Sequence, residues 1–446
     1  MTTRPALPPL HVRHPDYVGD TPFQDDLFNR KALAETLTGY INRTKDGCVI
    51  GIDAPWGEGK SWFGRNWRAK LNAEGYKTIY LDAFERDYSE DPFTILTAEI
   101  LDTVSKGTNK PVKQKLVTAG LKLGKTLLPA AAKITINAIG RLVLGTQDIT
   151  GDAAKLVEEL DKEAADVAEK YIAARFSESE AEKQSVIGFR TALAEFSAAQ
   201  PKPVIFFIDE LDRCRPDFAV RVVERVKHFF DVPNLVFVLL LNRDQLRRAI
   251  EGVYGHGFDA DAYLGKFIHL FLALPKSRSI DLRHSNATSI YANHVAERYN
   301  FGQSMALQNF IFAFGQLSAA FDMSLRDVEK AFTLVALAGV SESLPHLAWP
   351  IVLKLKHPNV FRGLVAGDLE SHQKAIELLQ KIEPSDDNCW QRDYFLALHT
   401  ERVYGKDELA EELKQALSNY GPGIYISIRG DVLRVLLGKI DIALMD

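Results

Sequence analysis

The stretch that decides the fold is Ala54-Pro55-Trp56-Gly57-Glu58-Gly59-Lys60-Ser61. It follows an apolar run, Cys48-Val49-Ile50-Gly51-Ile52, and opens onto Trp62-Phe63-Gly64-Arg65-Asn66-Trp67. That order predicts strand, tight loop, helix. Gly57 and Gly59 let the backbone turn sharply and aim successive N–H groups at an anion, while Lys60 and the positive end of the following helix add charge of the right sign. Ser61 puts a hydroxyl where a magnesium ion bridging two phosphates would sit. The contacts to a nucleoside triphosphate are therefore expected from Ala54 through Trp62. Ala54 stands where the usual spacing has Gly, which is tolerable if its φ stays negative.

Such a loop needs a second group to hold the metal. Val204-Ile205-Phe206-Phe207-Ile208-Asp209-Glu210 supplies it. Five consecutive apolar residues read as a parallel-sheet strand covered on both faces, with its carboxylates at the carboxyl end, where ligands bind in open α/β sheets. Asp209 is the expected partner of Ser61 on Mg²⁺, and Glu210 the expected general base for the attacking water. A third apolar run, Leu235 to Leu241, ends in Asn242. That amide either senses the terminal phosphate or caps the next helix. Between these runs, Phe218, Val222, Val226 and Phe229 recur at helical spacing and predict a crossover helix.

Together these segments resemble the KAP family of P-loop NTPases. The resemblance is carried by Ala-Pro-Trp-Gly-Glu-Gly-Lys-Ser at 54–61, Tyr80-Leu81-Asp82-Ala83-Phe84-Glu85 and Ile208-Asp209-Glu210-Leu211-Asp212-Arg213-Cys214. Val226-Lys227-His228-Phe229-Phe230, Tyr263-Leu264-Gly265-Lys266-Phe267 and Leu274-Pro275 extend it over roughly residues 20–280. It implies an α/β core related to AAA+ and STAND ATPases, binding ATP and Mg²⁺, with Lys60, Ser61, Asp209 and Glu210 in the roles above. It further implies a homo-oligomer or a partner protein, and a bacterial setting of phage defence or mobile elements. The arginine-bearing helix that closes the site in related ATPases is matched by Ser324-Leu325-Arg326-Asp327-Val328-Glu329-Lys330, with Arg326 as a phosphate sensor and Arg213 and Arg215 as rival finger candidates.

Composition sets bounds. The chain has 446 residues, 46% of them hydrophobic, and a formal net charge of −5, enough for two or three domains and against a dedicated grip on nucleic acid. Cysteines 48, 214 and 389 suit a reducing cytoplasm and no disulfide framework. The N-terminus shows no long apolar leader.

The chain divides into an irregular segment at 1–20, a first part of the P-loop core at 21–100, a helical insertion at 101–200, a second core part at 201–280 and an all-helical C-terminal domain at 281–446. Asp25, Asp26 and Arg30 fall either near the adenine or at a capped helix start. The insertion is basic in its first half and acidic from Asp152 to Glu182. Its most apolar window, Leu127 to Leu144, holds Lys133 and Arg141. A mid-bilayer charge costs about 2.5–3.5 kcal/mol, so no integral span is expected, and peripheral contact with the inner membrane remains an alternative to packing within the protein. The reading is ATP hydrolysis coupled to conformational change or assembly. The alternatives are a nucleotide-gated scaffold or membrane-associated organiser with little turnover, and a nucleic-acid-stimulated motor.

Overall fold

Two hydrophobic faces, alternating residue by residue along each strand, organise the P-loop core. The computed structural model describes residues 21–88, 92–105, 110–127, 169–229, 232–276, 287–339, 344–382, 390–405 and 432–441. Its elements begin with α1 (Arg30–Arg43), β1 (Cys48–Asp53), α2 (Lys60–Ala73), β2 (Lys77–Asp82), α3 (Pro92–Ser105) and α4 (Lys110–Leu127). Next come α5 (Glu169–Ala198), β3 (Val204–Asp209), α6 (Pro216–Val226), β4 (Leu235–Leu241), α7 (Arg243–Tyr254), α8 (Ala260–Leu264) and β5 (Leu270–Ala273). The helices α9 (Ala287–Arg298), α10 (Met305–Ala320), α11 (Leu325–Ala338), α12 (Ala348–Lys356), α13 (Pro358–Val365), α14 (Leu369–Gln380), α15 (Trp390–Tyr404) and α16 (Val432–Ile440) follow.

The five strands form one sheet in the order β2-β3-β4-β1-β5, every described pairing parallel. β3 and β4 are buried along their whole length, as the unbroken apolar runs predict. Ile50, Ile52, Ile205, Phe207, Val238 and Leu240 face α1 and α2, meeting Leu37, Ile41, Phe63 and Trp67. Val49, Ile79, Leu81, Phe206, Ile208, Phe237 and Leu239 face the other way, into a core shared with α3 to α7. Gly64 lets α2 sit close on the sheet, since a Cβ there would come within 2.2 Å of Leu240 Cδ1.

The described parts of the expected insertion are helices packed on this second face through Leu101, Leu116, Leu123, Phe189 and Leu193. Lys115 pairs with Glu195 at 3.0 Å across α4 and α5, outside the acidic stretch Asp152 to Glu182. The window after Leu127, with Lys133 and Arg141, and the acidic residues 152–168 lie outside the described residues, as does the segment 1–20. No helix among the described residues is long and apolar enough to cross a membrane. Among the described residues, α9 to α16 build a separate core around Phe310, Phe314, Phe332, Trp349, Tyr394 and Phe395.

Trp67 is the largest side chain of the α2 face. It is fully buried, lies 5.4 Å edge-on to Phe207, and donates its indole N–H to Thr38 Oγ1 at 3.0 Å. Trp67→Ala is expected to cost about 3–5 kcal/mol of stability, read as a fall in the midpoint of urea denaturation.

Candidate functional site

The loop after β1 has the backbone its sequence demands. Gly57 and Gly59 have φ of 84° and 81°, in the left-handed region that favours glycine. Ala54 is absent from the positive-φ positions, so the replacement of Gly there is unstrained. Its N–H donates to Leu241 O at 3.2 Å, tying the loop's entry to the end of β4. Gly59 is the N-cap of α2, so the first N–H groups of α2 face the concavity without a side-chain cap.

Lys60 reaches back into its own loop. Its Nζ donates to Ala54 O at 2.7 Å and to Pro55 O at 3.4 Å, and stands 3.9 Å from Asp212 Oδ2. Burial pulls its pKa below the ordinary lysine value, while Asp212, Glu210, Asp209 and Asp53 push the other way. Asp212 follows β3 in a short 3₁₀ turn, accepts the Trp56 indole N–H, and keeps Oδ1 buried with no partner among the described residues. Asp212 lies inside the string Ile208 to Cys214 that carries the family resemblance, with no role implied for it there.

The register of β2 with β3 aligns Asp82 with Asp209, and the sheet order sets β3 one strand removed from β1. Ser61 Oγ accordingly donates to Glu210 Oε1 at 3.3 Å, although the two lie 149 positions apart. Asp209 is fully buried, with Oδ1 accepting the Glu210 N–H at 2.8 Å and Oδ2 accepting the Tyr80 hydroxyl at 2.5 Å. Glu210 has a positive φ of 58° and pairs through Oε2 with Arg213 Nε at 2.6 Å. Burial raises the pKa of both acids, and for Glu210 the charge of Asp209 adds to it. Ser61, Asp209 and Glu210 thus bring hard oxygen donors together at one end of the loop, a set whose chemistry fits Mg²⁺.

Tyr80 was missed by the sequence reading. Strand alternation sets it on the same face as Asp82, but nothing in the sequence says that its hydroxyl holds Asp209. Asn29 is the N-cap of α1 and makes no side-chain cap, while Asp26, ahead of it, accepts the N–H groups of Phe28, Arg30 and Lys31. Arg30 itself is buried against the loop: its Nη1 would lie 2.8 Å from a Cβ on Gly59, and its Nε donates to Pro275 O at 2.9 Å. Burial lowers its pKa to about 10. Next to it the buried Glu58 pairs with Lys276 at 2.9 Å, and Lys276 donates to Met323 O at 3.3 Å.

The C-terminal helices close on the same loop. The Arg326 N–H, in the first turn of α11, donates to Gly57 O at 3.1 Å. A Cβ on Gly57 would collide with Ser324 Oγ at 2.7 Å and Arg326 Cβ at 2.8 Å. Ser324 and Asp327 form a capping box that fixes this helix end. Arg326 thus sits at the loop with an exposed side chain. Its two rivals are engaged within the chain, Arg213 with Glu210 and Arg215 with Asp87 O at 3.0 Å. Asn242 caps α7, its side chain accepting the Gln245 N–H at 3.2 Å, the second of the two roles its position allows. Among the described residues no cluster of three or more His, Cys, Asp or Glu side chains forms a metal site of its own.

This fold and loop define a nucleotide-binding P-loop domain. Residues 30–338 match the KAP family P-loop domain, and the chain belongs to that family. The match runs past the residue-280 limit expected from the motifs and takes in α11, the helix whose Arg326 the resemblance sets at the site. Among curated proteins the sequence finds no match. Among solved structures it is similar to the Aeropyrum pernix ORC2 protein in its ADPNP-ADP complexes, at 14% identity over 95% of this chain and 86% of that one. The TM-score of that pair, 0.36, is too low to carry an argument.

The raised acids have a consequence for stability. A carboxyl with a higher pKa folded than unfolded binds more protons in the folded state, so its penalty sets in as pH rises through the ordinary glutamate value of 4.5 and is complete above the folded value. Glu210→Gln removes that penalty, against loss of a partly exposed Arg213 pair worth about 1 kcal/mol or less. The variant is expected to melt at a higher temperature than wild type at pH 8, with the gain shrinking as pH falls toward 4. Calorimetry across a pH series checks it.

Proposed function

We propose that this chain is a Mg²⁺-dependent ATPase that couples its nucleotide state to the disposition of the C-terminal helices or to assembly with a partner. The observation that carries the reading is the meeting of Ser61, from the phosphate loop, with Asp209 at the end of β3 and with Glu210 just beyond it, 149 positions away in sequence. In this reading the N–H groups of Gly57 to Lys60 and the Lys60 ammonium hold the β and γ phosphates. Lys60 is prepared for this, since its present partners are the loop's own carbonyls and a distant Asp212.

Ser61 and Asp209 would hold Mg²⁺, and when bound the ion neutralises phosphate charge and orients the terminal group. Tyr80 fixes the orientation of Asp209. Glu210, its pKa raised toward the working range of a general base, takes the proton of the attacking water. Ser61 must release Glu210 Oε1 as it turns toward the nucleotide, which frees one oxygen of the base. Asn242 keeps its amide N–H₂ for the terminal phosphate while its oxygen caps α7, and Arg326 serves as sensor from the loop's rim.

A nucleotide-gated scaffold with little turnover is the second reading. One observation favours it: both Glu210 oxygens are engaged, by Ser61 and by Arg213. The setting that the family resemblance implies, bacterial phage defence or mobile elements, joins the proposal without any residue of the site bearing on it. Nucleic-acid stimulation and peripheral membrane contact are tested by the same hydrolysis assay with DNA, RNA or vesicles added.

Lys60→Ala is expected to abolish ATP binding, and Glu210→Gln to keep binding while slowing turnover by about 10²–10⁴. Calorimetric titration of ATP and single-turnover phosphate release measure the two. Equal ATP affinity in Lys60→Ala and wild type refutes the assignment of the loop. Tight binding with no phosphate release from wild type, partners included, favours the scaffold.

A further inference from the structure

On the outer side of α2, along the edge strand β2, a cavity of about 480 Å³ opens to solvent between Arg65, Arg68 and Asn72 on the helix and Tyr80, Asp82 and Glu85 on and after the strand. Its inner wall carries two guanidinium groups, of which Arg65 is engaged by the Tyr80 hydroxyl and the charge of Asp209. Arg65 and Arg68 both lie over the Tyr80 ring, with Cζ 5.6 and 5.4 Å from its centroid, while Tyr80 also stacks on Phe207. Two guanidinium groups crowded on one phenol repel each other, and burial together with the Arg65 charge holds the Arg68 pKa below its ordinary value. Arg68 Nε donates to Thr78 Oγ1 at 3.3 Å, and Thr78 Oγ1 donates to Asn72 Oδ1 at 2.7 Å. The stem of Arg68 is therefore fixed, and among the described residues its terminal amino groups have no hydrogen bond and no carboxylate lies within ion-pair distance, the charge of Glu99 acting on it from beyond that range.

The outer rim has the opposite character. Asp82 Oδ1 is occupied by the N–H groups of Phe84 and Glu85, and Glu85 is exposed at the mouth. An occupant that relieves this arrangement carries an anion at its inner end and hydroxyl or amine donors at its outer end. Planar arginine forks match the oxygens of a phosphate dianion, and Asn72 Nδ2 is left to donate as well. The volume lies within the range that encloses small organic ligands.

We propose that this cleft is a binding site for a small organic phosphate bearing hydroxyl groups, distinct from the phosphate loop. It does not rest on the ATPase reading, because none of its anion-binding residues belongs to the loop.

The test is calorimetric titration of ribose 5-phosphate into the full chain, with ribose, inorganic phosphate and a short oligonucleotide as parallel probes. Wild type and Lys60→Ala are expected to bind ribose 5-phosphate saturably and alike. Arg68→Gln is expected to weaken binding by about tenfold or more, as loss of charge-assisted hydrogen bonds implies. Arg68→Lys, which keeps the charge and loses the fork, is expected to fall between and serves in place of Arg68→Gln if that variant does not melt like wild type. The proposal is overturned if ribose 5-phosphate does not bind. It is also overturned if binding is lost in Lys60→Ala and kept in the Arg68 variants, if inorganic phosphate binds as tightly as the sugar phosphate, or if only the oligonucleotide binds.

Discussion

An ammonium group buried inside its own loop, within reach of three carboxylates from another strand, is the constraint on which the rest of the structure depends. Lys60 is desolvated, and desolvation alone would favour losing its proton. Asp212, Glu210 and Asp209 hold the charge in place, and they in turn are buried enough to have raised pKa values where the shift is resolved, at Asp209 and Glu210. Neither side of this arrangement is comfortable without the other. The parallel order β3-β4-β1 and the fully apolar strands β3 and β4 set the distance between them.

The same local imbalance explains why the site is polar in so many directions at once. Glu210 accepts a positive φ that a non-glycine residue rarely takes. Glu58 Oε2, Arg30 Nη2 and Asp212 Oδ1 are buried without partners among the described residues. Unsatisfied buried groups of this kind cost free energy, and these three, contributed by the loop, α1 and the turn after β3, border the concavity where a charged ligand would offset part of that cost.

The core was largely legible in the sequence, for reasons that are local. The loop glycines announce their own φ, continuous apolar runs announce strands covered on both faces, and the spacing of Phe218, Val222 and Val226 announces the crossover. Asp209 and Glu210 stand out in the sequence because strand ends carry ligands in open sheets, and the fold sets Glu210 beside Ser61. What could not be read depends on contacts between distant segments. Tyr80 meeting Asp209 and Arg30 meeting Gly59 join residues from different elements, and no period or motif encodes such a meeting, whereas the approach of α11 was expected and only its main-chain contact with Gly57 was not. Asn242 shows the limit of a motif position: its chemistry allowed two roles, and the Gln245 N–H takes its oxygen.

The hydrogen bond from Arg326 to Gly57 joins two hydrophobic cores by their main chains. Main-chain atoms have no rotamers with which to absorb a shift, so tilting α11 must either break this tether or drag the glycine with it. If a ligand of the loop binds one tilt of the helical half better than another, thermodynamic reciprocity requires that tilt to tighten the grip on the ligand by the same factor, with this one peptide group carrying traffic both ways.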